Sequence, residues 1–435
     1  MNIVIVFLTI GFVTLIGYSI IRKFDLLPTD DFLLGISYGY GLGVGLVAMQ
    51  LFLYSRLGIF WNRGALIFPW VIFLLIVFLT QKKNIKMPSI PKLRGIQKVL
   101  FGVIVIVICY TLLESILRPV TVWDGWAIWL LKSKIFFIDG MVNPSALSYV
   151  GAEYPLIISL FGTVLYIMLG FINDSAVLLM SFAFYLFLAL AFFSVLKKHG
   201  ITYALFFSFL LVATQNFVRH GGRLEAGQAD LPLGYYIFTS TMLVLKYYKT
   251  QTVRVLALLS VFLGITGLIK VEGVAFTFVI VILLIFTILK KKKYKHFLVL
   301  SFWLLPILDW NTYKSFYHLT VVRQRTFEFS LYKSLHTAYV IVKELFNIKT
   351  WSLLWIVYFY ILIFRQKKLD TNLFLVNIVI FVQLFFYLVS YLFFIDYSPE
   401  SSLERLLIHI APLALYAIAV YVHKIVSKHS RFLYE

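Results

Sequence analysis

The sequence predicts an all-α protein that crosses a membrane many times. Of its 435 residues, 61% are hydrophobic and only 13% are charged, whereas soluble domains carry about 25% charged residues. Apolar windows of about 17–23 residues, the length that spans a bilayer, recur along the chain. Lys and Arg fall in short clusters between those windows, as they do in cytoplasmic loops. These observations indicate one membrane domain without a separate soluble domain.

Thirteen apolar windows have roughly the length of a membrane span, and one more, 154–170, is ambiguous. Residues 2–21 carry no cleavage-site pattern and are expected to stay as a span rather than to leave as a signal peptide. The thirteen windows are 2–21, 32–54, 65–80, 98–116, 174–196, 201–217, 231–248, 254–269, 273–289, 297–312, 351–365, 372–394 and 406–422.

The positions of the basic clusters predict the orientation of the chain. If 154–170 crossed the bilayer, every later cluster would lie outside, against the positive-inside rule. We therefore expect this segment to lie along the outer interface or to re-enter. The chain then crosses about 13 times, with the N-terminus outside the plasma membrane and the C-terminus in the cytoplasm. The clusters are 22–23, 81–98, 197–198, 246–254, 290–295, 365–368 and 423–431.

Three other features exclude classes of function. The formal charge of +20 does not indicate nucleic-acid binding, because the basic residues lie between spans, where they face anionic lipid headgroups. The lone Cys109 excludes an intramolecular disulfide and a cysteine-based metal site. Four alternate glycines at 39–45 follow no strand, so they predict close helix packing rather than a phosphate loop.

Four polar breaks face outward in this topology: 118–153, 218–230, 270–273 and 395–405. Each pairs a carboxylate with a cation at a similar membrane depth, where charge is expensive unless it has a partner or a function. A carboxylate that takes an acceptor's proton and cations that neutralise a phosphate would together suit group transfer from a lipid phosphate. The plainer alternative is that acidic residues simply avoid the cytoplasmic loops.

The breaks supply the candidate site residues. Asp124 is the candidate catalytic carboxylate, and tryptophans that favour the membrane–water boundary flank it. Candidates for contact with acceptor, donor sugar or metal are Glu153, Glu225, Asp230 and Glu272; for phosphate, Arg405, Arg223, Lys270, His409 and His220; and for the aromatic interface, Trp123, Trp126 and Tyr154.

Each charged candidate also has a structural alternative. Asp124 and Asp230 could each cap the helix that follows, and Glu153 could be a solvated loop acid. Arg405 could reach lipid headgroups from the start of its span. The remaining alternatives are ion pairs that serve only structure, namely Glu225 with Arg223 and Lys270 with Glu272. The histidines lack the spacing of zinc ligands.

Five short motifs, in this order, resemble polytopic glycosyltransferases of the GT-C fold. The resemblance is strongest to the bacterial branch related to protein mannosyltransferases and aminoarabinose transferases, and it covers roughly 98–422; residues 1–97 form additional N-terminal spans. The motifs are Trp123-Asp124-Gly125-Trp126, Glu153-Tyr154-Pro155-Leu156, Ala229-Asp230-Leu231-Pro232, Lys270-Val271-Glu272-Gly273 and Arg405-Leu406-Leu407-Ile408-His409.

The resemblance implies a catalytic module over 98–435, with outer-face juxtamembrane helices around 124–170. It implies an inverting enzyme that takes a sugar from a polyprenyl-phosphate donor, with Asp124 as base or acceptor-orienting group. The acceptor would be a cell-envelope glycan or glycolipid. Many relatives carry two adjacent acids where this chain has Asp124-Gly125. A second carboxylate would then come from Glu153, Glu225 or Asp230, which leaves a divalent cation (Mg, Mn or Ca) possible but unassigned.

Two other functions compete with this one. A transporter or flippase of lipid-linked saccharides also needs cations at membrane depth, but such proteins often have internal repeats and helices broken near the midplane. Here the polar breaks gather at one face, which favours an enzyme. An envelope glycan polymerase would rely on arginines in large outer loops and could dispense with Asp124.

Overall fold

A computed structural model describes residues 2–27, 31–80, 92–149, 151, 154–222, 224–319, 330–365, 370–393 and 398–432. These residues form helices and connecting turns, with no strand among them. The helices of the first half are α1 (Asn2–Lys23), α2 (Phe32–Leu57), α3 (Arg63–Thr80), α4 (Ile96–Leu117), α5 (Leu130–Asp139), α6 (Pro144–Tyr149), α7 (Ile157–Leu169), α8 (Asp174–Val177), α9 (Leu179–Leu196), α10 (Ile201–Ala213) and α11 (Gln215–Gly222).

The second half is also helical, and short π-helical and 3₁₀ turns occur in both halves. Two π-helical turns, Gly125–Trp129 and Ile361–Arg365, and two 3₁₀ turns, Lys197–His199 and Ser301–Trp303, join neighbouring helices. The remaining helices are α12 (Asp230–Thr250), α13 (Val253–Gly267), α14 (Val271–Lys290), α15 (His296–Leu300), α16 (Leu304–Phe316), α17 (Leu331–Leu345), α18 (Ile348–Trp351), α19 (Leu354–Tyr360), α20 (Thr371–Phe393), α21 (Pro399–Ile408) and α22 (Ala411–Phe432).

Within the described ranges, seven helices are long and apolar enough to cross a membrane. They are α1 to α4, the unit formed by α8 and α9, α14 and α20. The number rises to nine if each of two bent pairs is one span: α10 with α11, bent by 65°, and α21 with α22, bent by 50°. The chain is therefore a polytopic, all-helical membrane protein, as the apolar windows predict.

Ion pairs gather several connections at one end of the helix bundle. Lys197 Nζ lies 2.7 Å from Asp31 Oδ1 and Lys424 Nζ lies 3.1 Å from Asp370 Oδ2, and Arg254 pairs with Asp25. Two of these contacts join the loop after α1 to the residues that follow α9 and α12, and the third joins the start of α20 to α22. We call this the basic end. The opposite end, which holds the loops after α2, α4, α13 and α16, is called the site end.

The ambiguous segment enters the bundle from the site end. Its helix, α7, has 13 residues. The Ile157 amide donates to Leu268 O at 3.2 Å, and Arg63 Nε donates to Ile167 O at 3.1 Å. Both partners lie at the site end, and α7 is almost wholly buried. Of the two expectations for this segment, its burial favours re-entry over a position along the interface.

The alternate glycines of α2 allow close contacts with three other helices. A Cβ at Gly43 would lie 2.0 Å from Val13 O of α1, and one at Gly39 would lie 2.7 Å from Tyr18 N. A Cβ at Gly41 would meet Tyr235 of α12, and one at Gly45 would meet Ile265 of α13. Residues four apart share one helix face, so the four glycines serve two faces. The predicted role in close packing is confirmed.

The central helix is α12, which is buried along nearly its whole length. Aromatic rings surround it: Tyr40 stacks on Phe187 with centroids 4.3 Å apart, and Tyr236 Oη donates to Gly41 O at 2.6 Å. Because α12 is fixed on all sides, its first residue, Asp230, is held rigidly at the site end.

Candidate functional site

A cavity of about 240 Å³ opens at the site end. Every residue that lines it comes from one of three polar breaks, 118–153, 218–230 and 395–405, which are far apart in sequence. The fourth break, 270–273, contributes nothing to the lining. The lining residues are Val122, Trp123, Asp124, Arg219, His220, Glu225, Glu400, Ser401, Glu404 and Arg405.

Asp124 stands at the start of the π-helical turn Gly125–Trp129, and its side chain is 30% exposed. It makes no capping hydrogen bond to the turn that follows. Its Oδ2 instead accepts from Arg405 Nη1, across 281 positions of sequence. A Cβ at Gly125 would lie 2.8 Å from Val122 and 3.4 Å from Ala226 O, so this turn packs against the segment before it and touches the loop after α11. Single π turns are frequent at functional sites.

Arg405, on α21, points into the protein rather than toward lipid headgroups. Besides Asp124, its Nη1 donates to Gln228 Oε1 at 2.5 Å. Its Nε is buried and has no hydrogen-bond partner among the described residues. The guanidinium therefore retains a donor for a further acceptor.

Arg219, one residue before His220 on α11, is held by two carboxylates. Its Nη2 lies 2.8 Å from Glu225 Oε1, and its Nη1 pairs with Glu404. Its Nε, like that of Arg405, is buried without a partner in the described part of the chain. Glu225 thus pairs with Arg219; Arg223, the partner considered from the sequence, lies outside the described residues. Gln228 also donates to Glu225, which ties the two arginine pairs together.

His220 lines the cavity with only 2% of its surface exposed. Neither of its ring nitrogens has a hydrogen-bond partner among the described residues. Leaving a buried polar group unpaired costs about 1–3 kcal/mol. Such a group inside a cavity is expected where a ligand completes its hydrogen bonds.

Asp230 forms a second, buried cluster that is not part of the cavity lining. Its Oδ1 lies 2.7 Å from Lys270 Nζ and 3.0 Å from His409 Nε2, and Tyr387 Oη lies 2.9 Å from His409 Nδ1. Glu272 Oε1 is 3.5 Å from Lys270 Nζ, which gives the ion pair considered from the sequence. Burial alone would lower the pKa of Lys270, but the charges of Asp230 and Glu272 raise it above its usual value.

This cluster joins the starts of α12 and α14 to α20 and to the break between α21 and α22. Four predicted site residues, Asp230, Lys270, Glu272 and His409, are therefore engaged with one another. They support the helix ends behind the cavity.

The predicted aromatic residues also divide between the cavity and other places in the protein. Trp123 lines the cavity and meets Trp126 edge to face, with centroids 4.5 Å apart. Tyr154 packs on Trp129, with centroids 5.4 Å apart, and Lys132 Nζ lies 5.6 Å from the Tyr154 ring centre. Glu153, beside it in sequence, lies outside the described residues.

No group of three His, Cys, Asp or Glu side chains among the described residues could hold a metal ion. In the cavity, Asp124, Glu225 and Glu404 each already pair with a guanidinium. The described residues therefore do not form a cage for the divalent cation considered above.

Three important contributors were not predicted individually: Arg219, Glu404 and Gln228. The only signal for the first two was their position, since Arg219 precedes His220 and Glu404 precedes Arg405. Helical residues three or four apart share a face, but nothing in the sequence indicates that Arg219 and Glu404 meet across 185 positions.

No family model, curated protein or solved structure matches this chain. Its function is therefore inferred from the chemistry of the cavity.

Proposed function

We propose that the protein is a membrane glycosyltransferase. It moves a sugar from a polyprenyl-phosphate donor to a hydroxyl of a cell-envelope glycan or glycolipid, with inversion at the anomeric carbon. The observation that carries this proposal is the cavity at one end of a membrane bundle, which brings the Asp124 carboxylate together with Arg405, Arg219 and His220.

The spare nitrogens of the cavity suit a phosphate. Arg405 Nε, Arg219 Nε and both ring nitrogens of His220 are buried and unpartnered among the described residues. A phosphate offers several acceptor oxygens, and charge-assisted hydrogen bonds to it are roughly twice as strong as neutral ones. The polyprenyl tail would lie in the bilayer beside the bundle, and the headgroup in the cavity.

The reaction then uses one proton acceptor and one leaving group. The acceptor hydroxyl oxygen attacks the anomeric carbon while Asp124 takes its proton. The bond between that carbon and the phosphate oxygen breaks, and its electron pair stays on the polyprenyl phosphate. The guanidinium groups of Arg405 and Arg219 stabilise the charge that develops there.

We infer thirteen crossings for this enzyme. To the nine spans that length and composition allow, four segments that run between the two ends are added: α12, α13, α15 with α16, and α19 with its π turn. The basic end then faces the cytoplasm by the positive-inside rule, which puts the cavity at the outer face of the plasma membrane. Helices α5 and α6 take the place of the juxtamembrane helices of a GT-C fold over 98–435, and α7 re-enters the bundle after them.

A transfer assay with the full chain in membranes tests the function. We expect transfer from at least one of a panel of radiolabelled polyprenyl-phosphate sugars. Asp124→Asn keeps the size of the side chain but removes the proton acceptor, so transfer should fall by about 10²–10⁴-fold at equal expression. The readout is label moved into the envelope fraction.

Asp139→Asn is the matched control. Asp139 lies in the same polar break but bonds to Asn143 at 2.8 Å and does not line the cavity. It should keep wild-type transfer. Equal activity of the Asp124 variant would remove Asp124 from the mechanism and favour a polymerase. Movement of lipid-linked saccharide across the membrane with no transfer would favour the flippase.

A further inference from the structure

We propose that the Asp124–Arg405 ion pair is a latch that the donor phosphate opens. The phosphate takes the place of Asp124 on Arg405, and only then is the Asp124 carboxylate released toward the acceptor hydroxyl. This inference rests on the proposed function and adds to it an order of events: donor first, acceptor second.

The carboxylates that line the cavity compete with an incoming phosphate for its two arginines. Two arginines face four carboxylates, those of Asp124, Glu225, Glu400 and Glu404. The outer nitrogens of Arg219 and Arg405 that the structure shows bonded already hold Glu225, Glu404, Asp124 and Gln228. An incoming phosphate therefore meets cations that have internal partners. It can bond to the unpartnered Nε of each arginine, but it reaches the bonded outer nitrogens only where one of those partners gives way.

Arg405 is the cation whose partner can leave at least cost. Arg219 is gripped by two carboxylates, whereas Arg405 is held by one carboxylate and the neutral amide of Gln228. Gln228 is itself fixed by its bond to Glu225. Arg405 therefore keeps one rigid contact when Asp124 departs, and its position for the phosphate is preserved.

Asp124 is also the carboxylate best placed to move between partners. Its side chain is 30% exposed at the cavity surface, and it makes no capping bond to the π turn. While its Oδ2 accepts a charge-assisted bond from Arg405, the charge of the guanidinium lowers the basicity of the carboxylate, so it competes less well for a substrate proton. Once phosphate neutralises Arg405, the same carboxylate lies beside the bound donor and is free.

The test measures binding, not transfer. Full-length protein in detergent is titrated with a polyprenyl monophosphate, and with the neutral polyprenol to subtract the contribution of the tail. Asp124→Asn removes the competing charge, so we expect it to bind the phosphate about five- to tenfold more tightly than wild type. Binding of polyprenol should not change. Asp139→Asn, which is remote from the cavity, should match wild type with both probes.

A double-mutant cycle shows whether the gain in phosphate affinity depends on Arg405. Arg405→Gln should weaken phosphate binding, and adding Asp124→Asn to it should give no gain in affinity.

The latch is overturned if Asp124→Asn binds the phosphate no better than wild type, or if its gain in affinity persists without Arg405. Either result would leave the proposed glycosyltransferase function unaffected. If wild type binds polyprenyl phosphate no better than polyprenol, the donor class itself is wrong. Each sample must share the wild-type elution profile and melting temperature range.

Discussion

At the scale of single residues, the site depends on groups whose hydrogen bonds are incomplete. The four cavity nitrogens left unpartnered in the described chain belong to Arg219, His220 and Arg405. Buried groups of this kind normally find partners. All three residues line one cavity, which separates them from Asp230, Lys270 and His409, whose bonds are made to one another.

His220 provides a prediction that separates binding from stability. In His220→Phe a ring of similar size replaces a buried polar group that lacks partners, so the protein should melt at the same temperature or slightly higher. Transfer should nevertheless fall, by about tenfold for one lost hydrogen bond to a charged ligand. Thermal melting in detergent and the transfer assay are run on one preparation. A lower melting temperature with intact transfer would give His220 a structural role instead.

At the scale of elements, the contact of α1 with α2 depends on the absence of side chains. Gly17 lies so close to α2 that a Cβ would be 2.0 Å from Gly39 O, which is backbone and has little freedom to move. Without a hydrophobic driving force between helices in lipid, such close approach is what holds them together.

We therefore expect Gly17→Ala to destabilise the protein by about 1–3 kcal/mol through overpacking. Gly11→Ala on the same helix is the matched control, because a Cβ there would meet nothing within 4 Å. It should be neutral or slightly stabilising, since alanine favours helix over glycine. The measurement is the melting temperature of both variants and of wild type in one detergent. Equal behaviour of the two would show that α1 is not packed on α2 as described.

At the scale of the whole molecule, the two ends of the bundle differ in charge, and this difference predicts orientation. With Cys109 replaced by serine, single cysteines are placed at Ser145 on α6, at the site end, and at Lys291 after α14, at the basic end; both positions are exposed. In intact cells, a membrane-impermeant maleimide should label the Ser145 position only, because basic segments stay in the cytoplasm. Labelling at Lys291 alone would move the cavity to the cytoplasmic side and exclude an envelope acceptor.

Local sequence patterns predicted the helical, multi-pass architecture because hydropathy and charge act over the length of a single span. The same patterns marked three polar breaks that form the cavity, and they selected Asp124, His220, Glu225 and Arg405 within them. They also selected Asp230, Lys270 and His409, which the structure places in a separate buried cluster. A polar residue at the end of a span looks the same in sequence whether it faces a cavity or a neighbouring helix.

The sequence by itself determined that this chain crosses a membrane repeatedly and that its charges gather in a few breaks. Only the tertiary structure decided which charges meet: Asp124 with Arg405 across 281 positions, and Arg219 with Glu404 across 185. The physical reason is that membrane insertion depends on the composition of each segment, whereas ion-pair partners depend on helix rotation and packing. Those are set by small contacts such as Gly17 on Gly39, far from the charges themselves.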